Sequence, residues 1–209
     1  MNKFFLTLSL VFTINLYADF VSDGVTQYND NNYKEAIVSW TKACDDGSIQ
    51  GCNNLAFMYA NGKGTMYDEL RASKLYALTC EAGDSNACSN LGTIYENGAG
   101  KVRQNFNKAA NLYNKSCNAG NLMGCNNLAD SYYRGRGVRG DSGKAAQIYQ
   151  DTCNKGNVYG CYTLAQMYRK GKGLQQNLSK AKVLYAKACD MGSRESCSKH
   201  NRLDDDGIR

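Results

Sequence analysis

Residues 109–137 read AANLYNKSCNAGNLMGCNNLADSYYRGRG, and the spacing in this stretch decides the fold. Ala109, Tyr113 and Cys117 stand four residues apart. On a helix they share one face, because residues i and i+4 are surface neighbours. Past Asn118-Ala119-Gly120 a second pattern begins, with Cys125, Leu128 and Tyr132 at i, i+3 and i+7 forming another helical stripe. Gly135 and Gly137 close the unit. In one unbroken helix, Cys117 and Cys125 would hold their Cα atoms about 12 Å apart, at roughly 1.5 Å per residue. A disulfide needs roughly 4.4–6.8 Å. The chain therefore turns at Ala119-Gly120, where glycine suits a left-handed helix cap. Two antiparallel helices then bring the cysteines face to face.

The same arrangement recurs along the chain. The ten cysteines fall as Cys44 and Cys52, Cys80 and Cys88, Cys117 and Cys125, Cys153 and Cys161, and Cys189 and Cys197, their first members separated by 36, 37, 36 and 36 residues. A period in this range marks a helical solenoid. Other columns keep the register: Ala36, Ala72, Ala109, Ala145 and Ala181; Trp40, Tyr76, Tyr113, Tyr149 and Tyr185; Leu55, Leu91, Leu128 and Leu164; Tyr59, Tyr95, Tyr132 and Tyr168. Each cysteine pair spans a turn ending in glycine, at Gly47, Gly83, Gly120, Gly156 and Gly192, so each is expected to staple its own αα-hairpin. A single hairpin of this size buries too little surface to stand alone. Closing each short loop removes unfolded-state entropy worth about 2.5 kcal/mol in the chain-entropy model. The expected fold is all-α, a solenoid of αα-hairpins with units near 29–64, 65–100, 101–137, 138–173 and 174–201. The 37-residue spacing places one inserted residue near Gly100 to Arg103. Phe20 to Tyr28 reads as a short starting helix, and 202–209 as a frayed polar tail, since His200 and Asp204 occupy the Leu and Tyr columns.

Composition sets the compartment. With 43% hydrophobic residues and 15 Tyr in 209 residues, the chain is globular rather than disordered. Residues 1–18 start with Lys3, run apolar from Phe4 to Ile14 and end Leu16-Tyr17-Ala18, which reads as a secretory leader cleaved after Ala18, an uncleaved anchor being the alternative. The apolar run is too short to cross a bilayer as a helix, so no membrane span is expected after cleavage. Loss of Lys3 lowers the net charge from +6 to +5. Export makes an even cysteine count a disulfide framework and the destination secreted or periplasmic. Nucleic acid is not an expected partner of an exported chain with so modest a charge. The absence of proline agrees with helices throughout, and codon bias explains it equally well.

The pattern A-x3-Y-x3-C-x2-G followed by C-x2-L-[AG]-x2-Y-x2-G-x-G resembles the Sel1-like repeat, and the cysteine pair across each turn resembles the Helicobacter cysteine-rich proteins in particular. The resemblance runs from about 29 to 200. It implies a right-handed α-solenoid in the periplasm or outside the cell, penicillin binding with slow β-lactamase activity, and contact with host proteins; Sel1-like proteins elsewhere are adaptors.

The residues themselves offer little for hydrolysis. Zinc chemistry lacks ligands, as His200 is the single histidine and the thiols are assigned to disulfides; no metal or other cofactor is expected. A Ser-His-Asp triad would also have to recruit His200. The serine β-lactamase signature S-x-x-K occurs at Ser39–Lys42, Ser179–Lys182 and Ser196–Lys199, in different repeats and without S-D-N or K-T-G. Each also reads as the polar face of a helix, and no catalytic residue is assigned.

Binding has a clearer pattern. Between Cys and Leu of each second helix stand Asn53 and Asn54, Ser89 and Asn90, Asn126 and Asn127, and Tyr162 and Thr163. Aligned amides supply donors and acceptors for a peptide backbone or carboxylate, which makes Asn53, Asn54, Asn90, Asn126, Asn127 and Thr163 candidate groove residues; helix initiation is the other reading. The columns Phe57, Thr93, Asp130, Gln166 and Ala60, Glu96, Tyr133, Arg169 vary as specificity positions do. Arg134, Arg136, Arg139, Arg169, Lys170 and Lys172 would align as a basic ridge or a solvated loop edge. The sequence therefore points to a rigid groove for peptides, peptidoglycan-like fragments and β-lactams, the lactam hydrolysis being implied by the family. The alternative is a non-catalytic scaffold engaging a host or envelope protein.

Overall fold

The computed structural model describes residues 19–98 and 100–208; the expected leader, 1–18, lies outside the described residues. Among the described residues every regular element is helical: α1 over 19–29, then α2 Tyr33–Asp45, α3 Ile49–Asn61, α4 Glu69–Glu81, α5 Ser85–Asn97, α6 Phe106–Asn118, α7 Leu122–Arg134, α8 Ser142–Asn154, α9 Val158–Lys170, α10 Leu178–Asp190 and α11 Arg194–Asp205. The chain divides into two compact units, Met1–Gln104 and Asn105–Arg209. In the first, α2 pairs with α3 and α4 with α5, and α3 packs on α4. In the second, the hairpins α6/α7, α8/α9 and α10/α11 stack through α7 on α8 and α9 on α10.

Local chemistry starts and stops these helices. From α3 onward each opens on a Ser, Asp or Asn whose side chain accepts the backbone N–H three residues ahead, as Asp84 does from Ala87 and Asn157 from Gly160. Such a cap satisfies an otherwise unpaired donor and contributes about 1 kcal/mol. The turns inside the hairpins bend at Gly47, Gly83, Gly120, Gly156 and Gly192, with φ from 81° to 100°, a region open to glycine without steric cost.

The five expected disulfides are all present, with Cα separations of 4.4–4.7 Å. Such close approach needs space that the helix before the second cysteine provides. A Cβ on Gly124 would lie 2.2 Å from Ser116 Oγ, and one on Gly160 would lie 2.1 Å from Thr152 Oγ1. The core follows the repeat columns. Ala36, Ala72, Ala109, Ala145 and Ala181 are buried, as are Trp40 and the four tyrosines of the aromatic column. In the second unit Ala129, Ala145, Ala146, Tyr149, Leu164 and Met167 form one cluster. In the first, Ala36, Trp40, Leu55 and Met58 form another. Helix α1 closes that end, where Trp40 Nε1 donates to the Val21 carbonyl at 3.3 Å.

The other terminus departs from the expected frayed tail. Helix α11 continues to Asp205. Leu203, one turn after the His200 column, is buried against Ala165, Ala181 and Tyr185, with Ile208 packed alongside. Lys182 pairs with Asp204 and donates to the Ile208 carbonyl. The apolar residue that closes the stack is displaced by three positions from the Leu column, so a column reading passes over it.

Candidate functional site

The second helix of each hairpin carries the proposed groove residues, and the structure separates those used for packing from those facing outward. Asn126 is buried: its Nδ2 donates to Asn157 Oδ1 at 2.8 Å, and its Oδ1 accepts from Thr152 at 2.9 Å. It is a link between consecutive hairpins, with both ends of its amide occupied, so it is not available to a ligand. Asn53 repeats the link in the first unit, donating to Asp84 Oδ2 at 3.2 Å. Tyr162 does so toward Glu195. In all three cases the residue after the second cysteine binds the start of the next hairpin's second helix.

The neighbouring column is more accessible. Asn54, Asn90, Asn127 and Thr163 are half-buried. Asn90 hydrogen-bonds Tyr76, whose phenol is pushed up to about 12, chiefly by burial. Thr163 hydrogen-bonds Tyr159. Asn54 makes no side-chain hydrogen bond among the described residues. The amides therefore do not form one uniform ladder.

Around them the variable columns give each unit its own chemistry. In the first, Phe57 is 39% exposed and meets the Tyr28 ring at 6.2 Å, edge on. Lys63 Nζ lies over Tyr28 at 4.7 Å and over Tyr33 at 5.4 Å. In the second, Asp130 accepts from Tyr159 at 2.8 Å and pairs with Arg134 at 3.9 Å. The Tyr149 hydroxyl approaches Asp130 from inside without making a full hydrogen bond. Burial and the adjacent Asp130 hold that phenol far above its ordinary range. Tyr159 is pushed up to about 12, first by burial and then by its bond to Asp130. These tyrosines are proton donors at neutral pH; none is a general base.

The cationic ridge is largely spent on other contacts. Arg134 pairs with Asp130, Arg136 lies over Phe106 at 5.4 Å, and Lys172 lies over Tyr133 at 3.8 Å. Arg169 is half-buried, with an unpaired buried Nε beside Tyr185. The Tyr column has a role that its periodicity did not disclose. Arg71 stacks over Tyr59, Lys144 over Tyr132 and Lys180 over Tyr168, each cation twelve residues after its ring. The recurrence of a basic residue at that spacing was the available signal.

No S-x-x-K motif forms a Ser–Lys pair. Ser39 Oγ donates to Gln27 at 2.8 Å, Ser196 Oγ to Ser193 at 2.8 Å, and Lys182 is engaged with Asp204 and Ile208. His200 Nδ1 sits 3.2 Å from the Lys182 carbonyl. Among the described residues no three His, Cys, Asp or Glu side chains gather as metal ligands, and no helix is long and apolar enough to cross a membrane.

Comparison with known proteins agrees with this architecture. The family model for the Sel1 repeat matches residues 49–84, 85–121, 122–157 and 158–193. A Helicobacter pylori J99 protein named "Putative beta-lactamase HcpE" is 37% identical over 65 residues, 31% of this chain and 18% of that protein. The crystal structure of c5321, a protective antigen of uropathogenic Escherichia coli with an SLR fold, matches with a TM-score of 0.82 at 27% identity, over 96% of this chain and 43% of that one. A Sel1 repeat protein from Oxalobacter formigenes matches with a TM-score of 0.77 at 25% identity, over 86% of this chain and 75% of that one. The chain thus spans less than a fifth of HcpE and less than half of c5321.

Proposed function

Because the chain belongs to the Sel1 repeat family, whose model matches four consecutive segments from 49 to 193, we propose that it is a disulfide-stapled scaffold that binds peptide segments of a partner outside the cytoplasm. One observation carries the reading. On the same helices, the repeated cysteines and leucines are buried in packing, while the varying positions, Phe57, Thr93, Asp130 and Gln166, remain at least partly accessible. A fixed frame presenting changing side chains is suited to recognition. Five hairpin-local disulfides add rigidity and require an oxidising compartment to form. Rigidity lowers the ordering cost of binding.

β-Lactam hydrolysis, which the name of the Helicobacter relative suggests for that protein, needs an activated nucleophile or a metal-bound hydroxide. The Ser–Lys motifs here supply no such nucleophile. A binding selection with displayed twelve-residue peptides on oxidised protein tests the scaffold reading, with Asp130→Lys and Arg169→Glu variants as counter-targets. Enrichment of peptides that bind the wild type and lose affinity for both variants is expected. Peptides indifferent to both changes overturn the assignment of the recognising face. Turnover of a chromogenic cephalosporin by the same oxidised sample would overturn the non-catalytic reading; none is expected.

A further inference from the structure

Arg169 stands on the varying face of the second unit without an anion. It lies in the last turn of α9, where Gly171 caps the helix and Gln176 Nε2 donates to the Arg169 carbonyl oxygen at 2.9 Å. The helix dipole favours a cation at that end. The side chain is half-buried. Its Nε is enclosed beside the Tyr185 hydroxyl, and neither atom completes a hydrogen bond. Tyr185 is fully buried, so this edge of the guanidinium is turned into the protein. The two Nη nitrogens are also without a partner among the described residues, but they are not buried. The guanidinium is held by its inner edge and keeps its outer edge open.

The residues around it answer one another instead. Tyr162 donates to Glu195 and hydrogen-bonds Gln166, one turn before Arg169. Asp204 of α11 pairs with Lys182. On α7, Asp130 is shared by Tyr159 and Arg134. No Asp or Glu stands between Thr152 and Cys189, a stretch that holds seven Lys and Arg residues, so the local field is positive. A guanidinium partly withdrawn from water has lost hydration without gaining a counter-charge. A carboxylate is the partner that matches it best, because the flat fork donates parallel N–H bonds to both oxygens. The column reads Ala60, Glu96, Tyr133 and Arg169 in successive repeats, so only one repeat offers this fork.

We propose that Arg169 anchors a carboxylate of the bound segment, gripping an Asp or Glu side chain or the peptide's C-terminus through the outward Nη edge. This assignment rests on the peptide-binding reading above and adds to it the chemical class of the partner, an acidic segment. Partly desolvated arginines of this kind are where binding energy concentrates.

A display selection of twelve-residue peptides with free C-termini supplies the probes, and fluorescence anisotropy of synthetic copies on the oxidised full chain reads affinity. The enriched peptides are expected to share an acidic residue or to require the free C-terminus, and copies with an amidated end tell the two sources apart. Changing that carboxylate to its amide should weaken binding to the wild type by about tenfold, the effect of one lost charge-assisted hydrogen bond. The same change should cost nothing further against Arg169→Gln. Arg169→Lys keeps the stem and the charge but loses the fork, and should also bind about tenfold more weakly. Arg169→Glu should regain affinity for a peptide whose acid is replaced by Arg. Lys155→Gln and Lys187→Gln remove the same charge elsewhere in the acid-free stretch and should change affinity by about twofold at most at physiological salt. Binders with no essential carboxylate, equal losses against wild type and Arg169→Gln, full affinity in Arg169→Lys, or equal losses in the Lys155 and Lys187 variants would each overturn the carboxylate anchor and leave the peptide-binding face standing. An empty selection would remove both.

Discussion

Thr152 donates to Asn126 Oδ1 at 2.9 Å, and Asn126 Nδ2 donates to Asn157 Oδ1 at 2.8 Å, joining two hairpins of the second unit through one buried amide. Asn157 Oδ1 also accepts the Gly160 N–H that starts α9. Truncating Asn126 removes one partner from each side, leaving the Thr152 hydroxyl with the Tyr149 carbonyl and Asn157 Oδ1 with the Gly160 N–H, and empties the buried space between the hairpins. Asn126→Ala should destabilise the protein by about 1–3 kcal/mol. Asn54→Ala, at a half-buried position with no hydrogen bond to lose, should stay within about 0.5 kcal/mol of wild type. Urea denaturation of the two variants reads the difference, and equal midpoints would show that Asn126 is not a structural link.

This pair also marks how far the sequence can be read. The hairpins, their turns and the disulfides follow from periodic columns, because i, i+4 spacing and the reach of a disulfide leave one local solution. Asn126 and Asn127 are neighbours of the same residue type, yet a rotation of about 100° between successive residues on a helix sends one into the interface and leaves the other at its edge. Composition cannot separate them. The longer loop after Gly100 was visible only as an irregular spacing, 37 where the other repeats have 36. Its consequence depends on which way the longer loop moves, and that is a property of packing.

The disulfides should dominate stability. Each closes a short loop worth about 2.5 kcal/mol of unfolded-state entropy, and Cys153 and Cys161 are buried at the junction with Ala188 of the next hairpin. Replacing both by alanine should lower the urea midpoint of the second unit, and full reduction should leave the chain unfolded or open to protease. An unchanged thermal melt in strong reductant would contradict this.

Alkaline titration should find the packed tyrosines ionising late. Tyr76 and Tyr159 are held at about 12 mainly by burial, against an ordinary value of 10.0. A phenol whose folded pKa is raised contributes stability that is complete below the unfolded value and is lost as pH rises through the folded one. Their contribution is therefore present below about pH 10 and disappears as pH climbs toward 12. Absorbance of tyrosinate should show a late class of phenols that ionises together with unfolding. Asp130→Asn should bring Tyr159 down, because the bond to the Asp130 carboxylate favours the neutral phenol. A single uniform transition near 10 in the folded protein would refute the assignment.

Leu203 decides whether the last turns are a tail or a cap. Its side chain is 8% exposed against Ala165, Ala181 and Tyr185, so Leu203→Ala removes buried methyl groups and leaves a void that α10 and α11 can only partly refill. A loss of about 2 kcal/mol is expected, at the low end for leucine truncation because the site borders solvent. Lys182→Met, which breaks the partly exposed pair with Asp204 and the bond to the Ile208 carbonyl but keeps the apolar stem, should cost less, about 1 kcal/mol. Hydrogen exchange gives the sharper reading. Amides of α11 should be protected through Leu203 in the wild type and lose protection in Leu203→Ala, with α6 and α7 unaffected. If they exchange at the unprotected rate in the wild type, the polar-tail reading of 202–209 is restored.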